Sequence, residues 1–209
     1  MKATEVLSQY GLFPIIKIDD AAKAVPLADT LKNAGLPIAE VTFRADAAAE
    51  SIAAIRRAFP DMLIGAGTVL TTAQADAAIA AGATFLVTPG FNPRVVRHCI
   101  DRGIEICPGV MTPGEMEQAM EMGLGTVKLF PAEAIGGVAF LKAVSGPYRT
   151  LKFLPTGGVS ADNLLSYLRL PCVTACGGSF FVKDALIRSG DFETIDRMTR
   201  EALAIAAQR

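Results

Sequence analysis

One lysine, Lys128, lies inside an apolar segment that is typical of a buried parallel strand. Such strands are covered on both faces, so a charge in the middle of one is costly. Because side chains alternate along a strand, we expect Lys128 and Phe130 to face a barrel interior. Burial would lower the pKa of the amine, and the neutral amine is the form that attacks a ketone to give an iminium. A structural lysine, paired with a buried carboxylate or reaching to the rim, is the alternative.

A second strand-like segment, residues 38–44, carries groups that iminium chemistry needs. Alternation places Glu40, Thr42 and Arg44 on one face of it. A partly desolvated Glu40 carboxyl suits the proton transfers of carbinolamine formation and enamine protonation. The planar guanidinium of Arg44 fits a substrate carboxylate. The structural alternative is an inert Glu40–Lys128 pair with Arg44 at the rim, but the two segments together favour catalysis.

Two further segments that follow predicted strands contain glycine and threonine, and the second also contains proline. They are residues 65–68 and residues 88–90. Their backbone N–H groups and the Thr68 hydroxyl could complete a carboxylate site with Arg44. Each segment alone would be interpreted as an ordinary turn.

The loops after the last two predicted strands are rich in glycine. Gly157 and Gly158 lie in one, and residues 177–179 form the other. In (β/α)8 barrels, loops at these places commonly bind phosphate through backbone N–H groups and a helix N-terminus. Glycine permits the close approach, and Ser179 can donate a hydroxyl. Tight turns also need glycine, so the pair of loops indicates a phosphate site more strongly than either loop alone.

Composition limits the class of protein. The chain has 209 residues, 51% of them hydrophobic, with a net charge of −1. This length suits one well-cored domain, and no apolar run reaches the roughly 18–20 residues that a membrane span needs. The absence of a basic cluster argues against nucleic acid as a partner. The first residues lack the pattern of a secretory signal, so we expect a cytoplasmic protein with no membrane partner.

The metal-binding and nucleophilic residue types are few. His98 is the single histidine, which argues against a histidine-based zinc site and a triad with a histidine base. Carboxylates alone can hold Mg²⁺, so a metal-dependent enzyme stays an alternative. The four cysteines show no C-x-x-C spacing, and we expect them to be reduced and structural.

Strands and helices alternate along the chain, which is typical of a parallel sheet. Eight strands are predicted, at residues 12–18, 38–43, 62–64, 84–87, 104–107, 126–129, 152–154 and 172–175. Helices are predicted at residues 21–33, 47–58, 73–81, 93–102, 113–122, 138–144, 162–168 and 193–207, with a further helix at 4–9 that covers the barrel bottom. Polar loops after several strands favour a (β/α)8 TIM barrel, one domain over residues 1–209, against an open doubly wound sheet.

The ordered motifs of this chain resemble those of the 2-keto-3-deoxy-6-phosphogluconate (KDPG) aldolases. These motifs are EVTFR at 40–44, GAGTV at 65–69, TPG at 88–90, PGVMTP at 108–113, VKLFPAE at 127–133 and PTGGV at 155–159. The resemblance covers nearly the whole chain. It implies a class I lyase of the Entner–Doudoroff pathway, which cleaves KDPG to pyruvate and glyceraldehyde 3-phosphate, often with 4-hydroxy-2-oxoglutarate aldolase activity as well.

The resemblance also implies residue roles. Lys128 is similar to the Schiff-base lysine and Glu40 to the general acid/base. Ligands of the pyruvyl carboxylate and the pocket would be Arg44, Thr68, Pro89 and Phe130, and phosphate ligands would be Gly157, Gly158 and Ser179. Lys17 stands near a place where many relatives have a phosphate-binding arginine, and it lacks the bidentate fork. The implied enzyme is a homotrimer that needs no metal or other cofactor.

Three other functions remain open at this point. The 2-keto-3-deoxy-6-phosphogalactonate aldolases tend to carry Pro and Asn where this chain has Thr42 and Arg44, which favours the gluconate epimer. A sugar-phosphate isomerase or epimerase would share the phosphate loops without an iminium. A catalytically silent sugar-phosphate-binding barrel would not need both Glu40 and Lys128.

Overall fold

The computed structural model describes residues 2–209, in which parallel strands alternate with helices. The strands are β1 Leu12–Ile16, β2 Ile38–Thr42, β3 Leu63–Gly67, β4 Phe85–Val87, β5 Glu105–Cys107, β6 Gly109–Val110, β7 Thr126–Leu129, β8 Lys152–Pro155 and β9 Cys176–Gly178. The helices are α1 Ala3–Tyr10, α2 Ala24–Asn33, α3 Ala48–Ala58, α4 Thr72–Ala80, α5 Pro93–Asp101, α6 Pro113–Glu121, α7 Gly137–Ser145, α8 Ala161–Leu168, α9 Asp184–Ser189 and α10 Phe192–Ala206, with 3₁₀ turns at Ala21–Lys23 and Glu133–Ile135. Across residues 2–209, no helix combines the length and the apolar character that a membrane crossing requires.

The strands form two parallel sheets, one in the order β5-β4-β3-β2-β1-β9 and one in the order β6-β7-β8. At one junction only Pro108 separates β5 from β6, and its carbonyl accepts a hydrogen bond of 2.9 Å from the N–H of Lys128. At the other junction, single parallel bridges join Phe153 to Val173 and Thr156 to Gly177. The two sheets therefore adjoin at both of their edges, in an α/β fold.

Every residue of β1 and β2 is buried, as the sequence predicts for strands covered on both faces. Glycines end several helices where the sequence predicts a stop. Gly82, Gly103 and Gly123 follow α4, α5 and α6 with φ of 99°, 67° and 81°. This left-handed conformation closes a helix end and favours glycine.

The prediction of a last strand at residues 172–175 is wrong. Pairing with β1 starts at Cys176, and Val173 makes only a single bridge. Gly177 can be a strand residue because side chains from β1 and from the residue after β8 fill the space beside it. A Cβ on Gly177 would lie 2.7 Å from Cζ of Phe13 and 2.7 Å from Oγ1 of Thr156.

The same feature lengthens β3, which the sequence predicts to end at residue 64 and which continues to Gly67. A Cβ on Gly65 would lie 2.2 Å from Cζ of Phe85. The short strand β6 and the helix α9 are two elements that the sequence reasoning did not predict. The remaining predicted elements are present with ends that shift by a few residues.

The predicted helix at the bottom is α1, and charged groups hold both of its ends. The N–H groups of Ala3 and Thr4 donate to the Glu105 carboxylate at 2.7 and 3.1 Å. At the other end, the Arg209 guanidinium donates to the carbonyls of Ser8 and Gln9 at 2.7 and 2.8 Å. Both charges have the sign that stabilises the helix dipole. Because Glu105 is the first residue of β5, α1 lies at the N-terminal ends of the strands.

We expect Glu105→Ala to lower the free energy of unfolding by about 1–2 kcal/mol, because two N–H groups of α1 lose a charged acceptor. Urea denaturation monitored by circular dichroism measures this. Glu121→Ala is the control, since Glu121 lies at the C-terminal end of α6, where a carboxylate does not favour the dipole. Equal losses in the two variants would contradict the proposed anchoring of α1.

Candidate active site

A cavity of about 280 Å³ opens at the C-terminal ends of the strands. Its lining comes from most of the strands or the loops after them, and it consists of Ile15, Arg44, Thr68, Pro89, Lys128, Phe130, Thr156, Gly157, Gly158, Val159, Gly177, Gly178 and Ser179. A larger cavity, of about 460 Å³, lies at the opposite end of the strands. Its charged lining groups are Lys2 and Glu105, and the Glu105 carboxylate already binds α1, so the smaller cavity is the candidate active site.

Lys128 lies on β7 and is 5% exposed. Its ammonium lies 4.9 Å from the centre of the Phe130 ring, within the range of a cation–π contact. Burial lowers the pKa of Lys128 below its usual value, and the Arg44 charge acts in the same direction. The Glu40 charge opposes this shift, and the lowered value indicates that desolvation prevails.

Glu40 lies on β2 and is completely buried. Neither carboxylate oxygen has a hydrogen-bond partner among residues 2–209. Burial raises the pKa of this carboxyl, while the Lys128 and Arg44 charges act in the opposite direction. Gly67 on the adjacent strand makes room for the carboxylate, since a Cβ there would lie 2.0 Å from Oε1 of Glu40. Both shifts favour neutral forms, an amine beside a carboxylic acid.

Arg44 and Thr68 line the same cavity as Lys128. The Thr42 hydroxyl donates to the Ile16 carbonyl at 2.8 Å, and Nε of Arg44 donates to the same hydroxyl oxygen at 3.2 Å. This fixes the stem of Arg44, which lines the cavity. Thr68 follows β3 with φ of 56°. A β-branched residue seldom adopts this conformation, which costs about 1–3 kcal/mol and clusters at functional sites.

Gly157 and Gly158 form a left-handed turn between β8 and α8, with φ of 92° and 86°. Both carbonyls of this turn accept a hydrogen bond from another part of the protein. The Glu133 N–H donates to the Gly157 carbonyl at 3.0 Å, and Nδ2 of Asn163 donates to the Gly158 carbonyl at 3.0 Å. In a trans peptide the next N–H points away from the carbonyl, so these bonds also fix the directions of the following N–H groups.

The structure brings eight of the predicted site residues to one cavity, and Glu40 lies buried in the charge field of Lys128. The eight are Arg44, Thr68, Pro89, Phe130, Lys128, Gly157, Gly158 and Ser179. Lys17 is not brought to this cavity. Its ammonium binds the Asp19 carboxylate at 2.7 Å, and that carboxylate also lies 3.7 Å from Arg188.

The sequence reasoning missed Thr156 as a cavity residue. It is 4% exposed and directly precedes the two glycines, so the motif Pro155–Val159 contained the signal that identifies it. Within residues 2–209, no three or more His, Cys, Asp or Glu side chains come together in a way that could hold a metal ion.

The sequence matches the aldolase family described as KDPG and KHG aldolase over residues 3–198. A 2-dehydro-3-deoxy-phosphogluconate aldolase of Haemophilus influenzae is 48% identical over 201 residues, which is 96% of this chain and 95% of that protein. A KDPG aldolase of Legionella pneumophila, with pyruvate captured at low pH as a covalent carbinolamine intermediate, has a TM-score of 0.93 and 36% identity, over 96% of this chain and 97% of that chain.

A 2-keto-3-deoxy-6-phosphogluconate aldolase of Zymomonas mobilis, solved with 3-phosphoglycerate, has a TM-score of 0.90 and 33% identity, over 98% of this chain and 97% of that chain. These likenesses extend over almost the whole length of each protein. The chain belongs to the KDPG and KHG aldolase family.

Proposed function

We propose that this protein is a class I aldolase that cleaves 2-keto-3-deoxy-6-phosphogluconate to pyruvate and glyceraldehyde 3-phosphate through an imine on Lys128. The single observation that carries the proposal is the burial of Lys128 beside Glu40 at the cavity, with the pKa of each shifted toward its neutral form. Relatives named as this aldolase, up to 48% identical, support it. So does the covalent pyruvate adduct described for the Legionella neighbour.

The proposal includes a closed (β/α)8 barrel that forms one aldolase domain over residues 1–209. The bridges between the β8 and β9 segments and the single-residue junction of β5 and β6 support closure. The cavity then lies at the C-terminal face, where barrel enzymes carry their active sites.

The chemistry begins with attack of the neutral Lys128 amine on the C2 ketone. Glu40 gives a proton to the carbinolamine hydroxyl, which leaves as water and produces the iminium. Glu40, now ionised, takes the proton from the C4 hydroxyl. The C3–C4 bond breaks and the aldehyde leaves, while the electron pair of that bond passes into the enamine. Glu40 then protonates the enamine carbon, which gives the pyruvate iminium. Water adds to this iminium, its oxygen becomes the ketone oxygen of pyruvate, and one proton returns to Glu40 as the free Lys128 amine is released.

Recognition involves two ends of the substrate. The pyruvyl carboxylate binds Arg44 and Thr68, with Pro89 and Phe130 shaping that part of the cavity. At the other end the phosphate binds N–H groups of Gly157 and Gly158 and the Ser179 hydroxyl, and all three residues line the same cavity. Lys17 is held by Asp19, so we assign it no direct phosphate contact.

The unphosphorylated substrate 4-hydroxy-2-oxoglutarate needs only the Lys128, Glu40 and Arg44 end, and its cleavage to pyruvate and glyoxylate is part of the proposal. The imine acts as the electron sink, so the mechanism needs no metal or other cofactor, and activity should persist in EDTA.

We also propose a cytoplasmic homotrimer. Exposed Leu70 and Met111, 52% and 45% exposed after β3 and β6, are candidates for a contact between subunits.

Borohydride trapping tests the nucleophile. With pyruvate, reduction should add a stable mass to the wild-type peptide that contains Lys128. Lys128→Arg keeps the charge, but a guanidinium stays protonated and cannot form the imine, so trapping should vanish and cleavage should fall to background. Adduct formation at another lysine would refute the assignment. A sugar-phosphate isomerase or a silent binding protein would give no adduct at all.

Gly67→Ala tests the placement of Glu40 without changing its chemistry. The added methyl group displaces the carboxylate, and exchange of the pyruvate methyl protons with solvent should slow by about 10²-fold. NMR measures the exchange, while imine trapping at Lys128 should continue more slowly, because the displaced Glu40 is also the acid that expels water from the carbinolamine. Gly114→Ala is the control because a Cβ there has no atom within 4 Å. Unchanged exchange in a folded Gly67→Ala protein would show that Glu40 is not the proton carrier.

Ser179→Ala tests the phosphate end. Loss of one charge-assisted hydrogen bond should reduce kcat/KM for KDPG by about 10- to 150-fold. Cleavage of 4-hydroxy-2-oxoglutarate should change little, since this substrate does not reach Ser179. Ser189→Ala, which removes an exposed hydroxyl bonded to the Leu186 carbonyl, serves as the control. Equal losses on both substrates would mean that the loop supports the architecture and that phosphate binds elsewhere.

A further inference from the structure

The side chains of Tyr167 and Glu133 meet outside the cavity, on the far side of the glycine turn at 157–158. The Tyr167 hydroxyl donates a hydrogen bond to Oε1 of Glu133. Tyr167 lies on α8 and is completely buried, whereas Glu133 lies in the loop after β7 and is exposed. Neither residue lines the cavity, and the mechanism above uses neither.

Glu133 contacts the glycine turn with its backbone and with its side chain. Its N–H donates to the Gly157 carbonyl at 3.0 Å. Its Cβ and Cγ cover Gly158 so closely that a Cβ on that glycine would lie 2.5 Å from each of them. The position of Glu133 therefore constrains the peptide between Gly157 and Gly158 and the space beside Gly158, while Asn163 holds the Gly158 carbonyl.

The surrounding backbone leaves space for the contact between the two side chains. A Cβ on Gly137, at the start of α7, would lie 2.8 Å from Oε1 of Glu133 and 2.8 Å from the Tyr167 hydroxyl oxygen. Burial raises the pKa of the Tyr167 phenol, and the bond to Glu133 raises it further. The hydroxyl thus keeps its proton and remains a donor through the neutral pH range.

We propose that Tyr167 and Glu133 are positioning residues for substrate phosphate: the hydrogen bond between them fixes Glu133, and Glu133 fixes the Gly157–Gly158 turn. This inference rests on the proposed function for the identity of the phosphorylated substrate. The peptide planes explain the effect, because holding the Gly157 carbonyl toward Glu133 turns the Gly158 N–H the opposite way. A preorganised N–H group binds an anion without a further ordering cost.

Tyr167→Phe removes only the hydroxyl and is the first test. The KM for KDPG should rise about tenfold, with kcat nearly unchanged, because the phosphate does not react. KM and kcat for 4-hydroxy-2-oxoglutarate should stay within about twofold of the wild type. A merely structural hydroxyl would alter both substrates alike, together with the unfolding midpoint.

Tyr148→Phe is a matched control, since Tyr148 also donates to a glutamate, Glu117, at 2.9 Å. That pair lies away from the cavity lining, so neither substrate should be affected. Glu133→Ala removes the exposed acceptor of the Tyr167 hydrogen bond and should reproduce the rise in KM for KDPG, even if Tyr167→Phe folds poorly. Glu133→Gln keeps an acceptor oxygen for the hydroxyl and should restore a KM close to that of the wild type.

Inorganic phosphate separates this inference from the proposed function. Titration monitored by NMR should shift the Gly157 and Gly158 amide signals in the wild type, with about tenfold weaker binding in Tyr167→Phe. If the wild type fails to cleave KDPG, the proposed function is wrong, and this titration still tests the positioning. Unchanged phosphate affinity and unchanged KM in Tyr167→Phe and Glu133→Ala would overturn the inference. Equal losses on both substrates would overturn it as well.

Discussion

Burial of two ionisable side chains, Lys128 and Glu40, is the constraint on which the rest of the site depends. Each loses hydration, and each charge is stabilised mainly by the other. Desolvation is the largest cause of both pKa shifts, so the neutral forms gain relative to the ion pair. The Glu40 carboxyl therefore holds a proton more readily, and the Lys128 amine less readily, than either would in water, which suits the proposed proton carrier and nucleophile.

One glycine within the strands, Gly67, follows from that constraint. A carboxylate that is buried among parallel strands needs space, and β3 provides it by having no side chain at Gly67. In the same way, the absence of a side chain at Gly65 and Gly177 leaves space for the aromatic rings of Phe85 and Phe13. Close packing requires that a large side chain on one strand be matched by a small residue on the neighbouring strand. Substitution of such a glycine therefore changes the position of a specific neighbouring side chain.

The matching of large side chains with glycines on neighbouring strands also explains where sequence reasoning succeeded and where it failed. The strand that holds Lys128 was predicted with its exact bounds, 126–129, because a short and largely apolar run is typical of a strand covered on both faces. The glycine-containing strands β3 and β9 were misplaced, because glycine indicates a turn locally and only the partner side chains make it a strand residue. The convergence of Arg44, Thr68 and Ser179 followed from their positions after strands. The Tyr167–Glu133 pair could not be predicted, since 34 residues separate its members and neither stands at a strand end.

The outer contacts of the site separate recognition from chemistry. Lys128 and Glu40 depend on burial, which any change of the core disturbs. The glycine turn depends on hydrogen bonds that its own carbonyls accept from Glu133 and Asn163, on the side away from the cavity. Because the turn's carbonyls are satisfied by the protein, its N–H groups remain the part available to an anion. Under the proposed function, affinity for phosphate would change through residues such as Tyr167 without altering the environment of Lys128. Discrimination between phosphorylated and unphosphorylated keto acids would then be a property of the loops, and the buried Lys128 and Glu40 would serve both substrates.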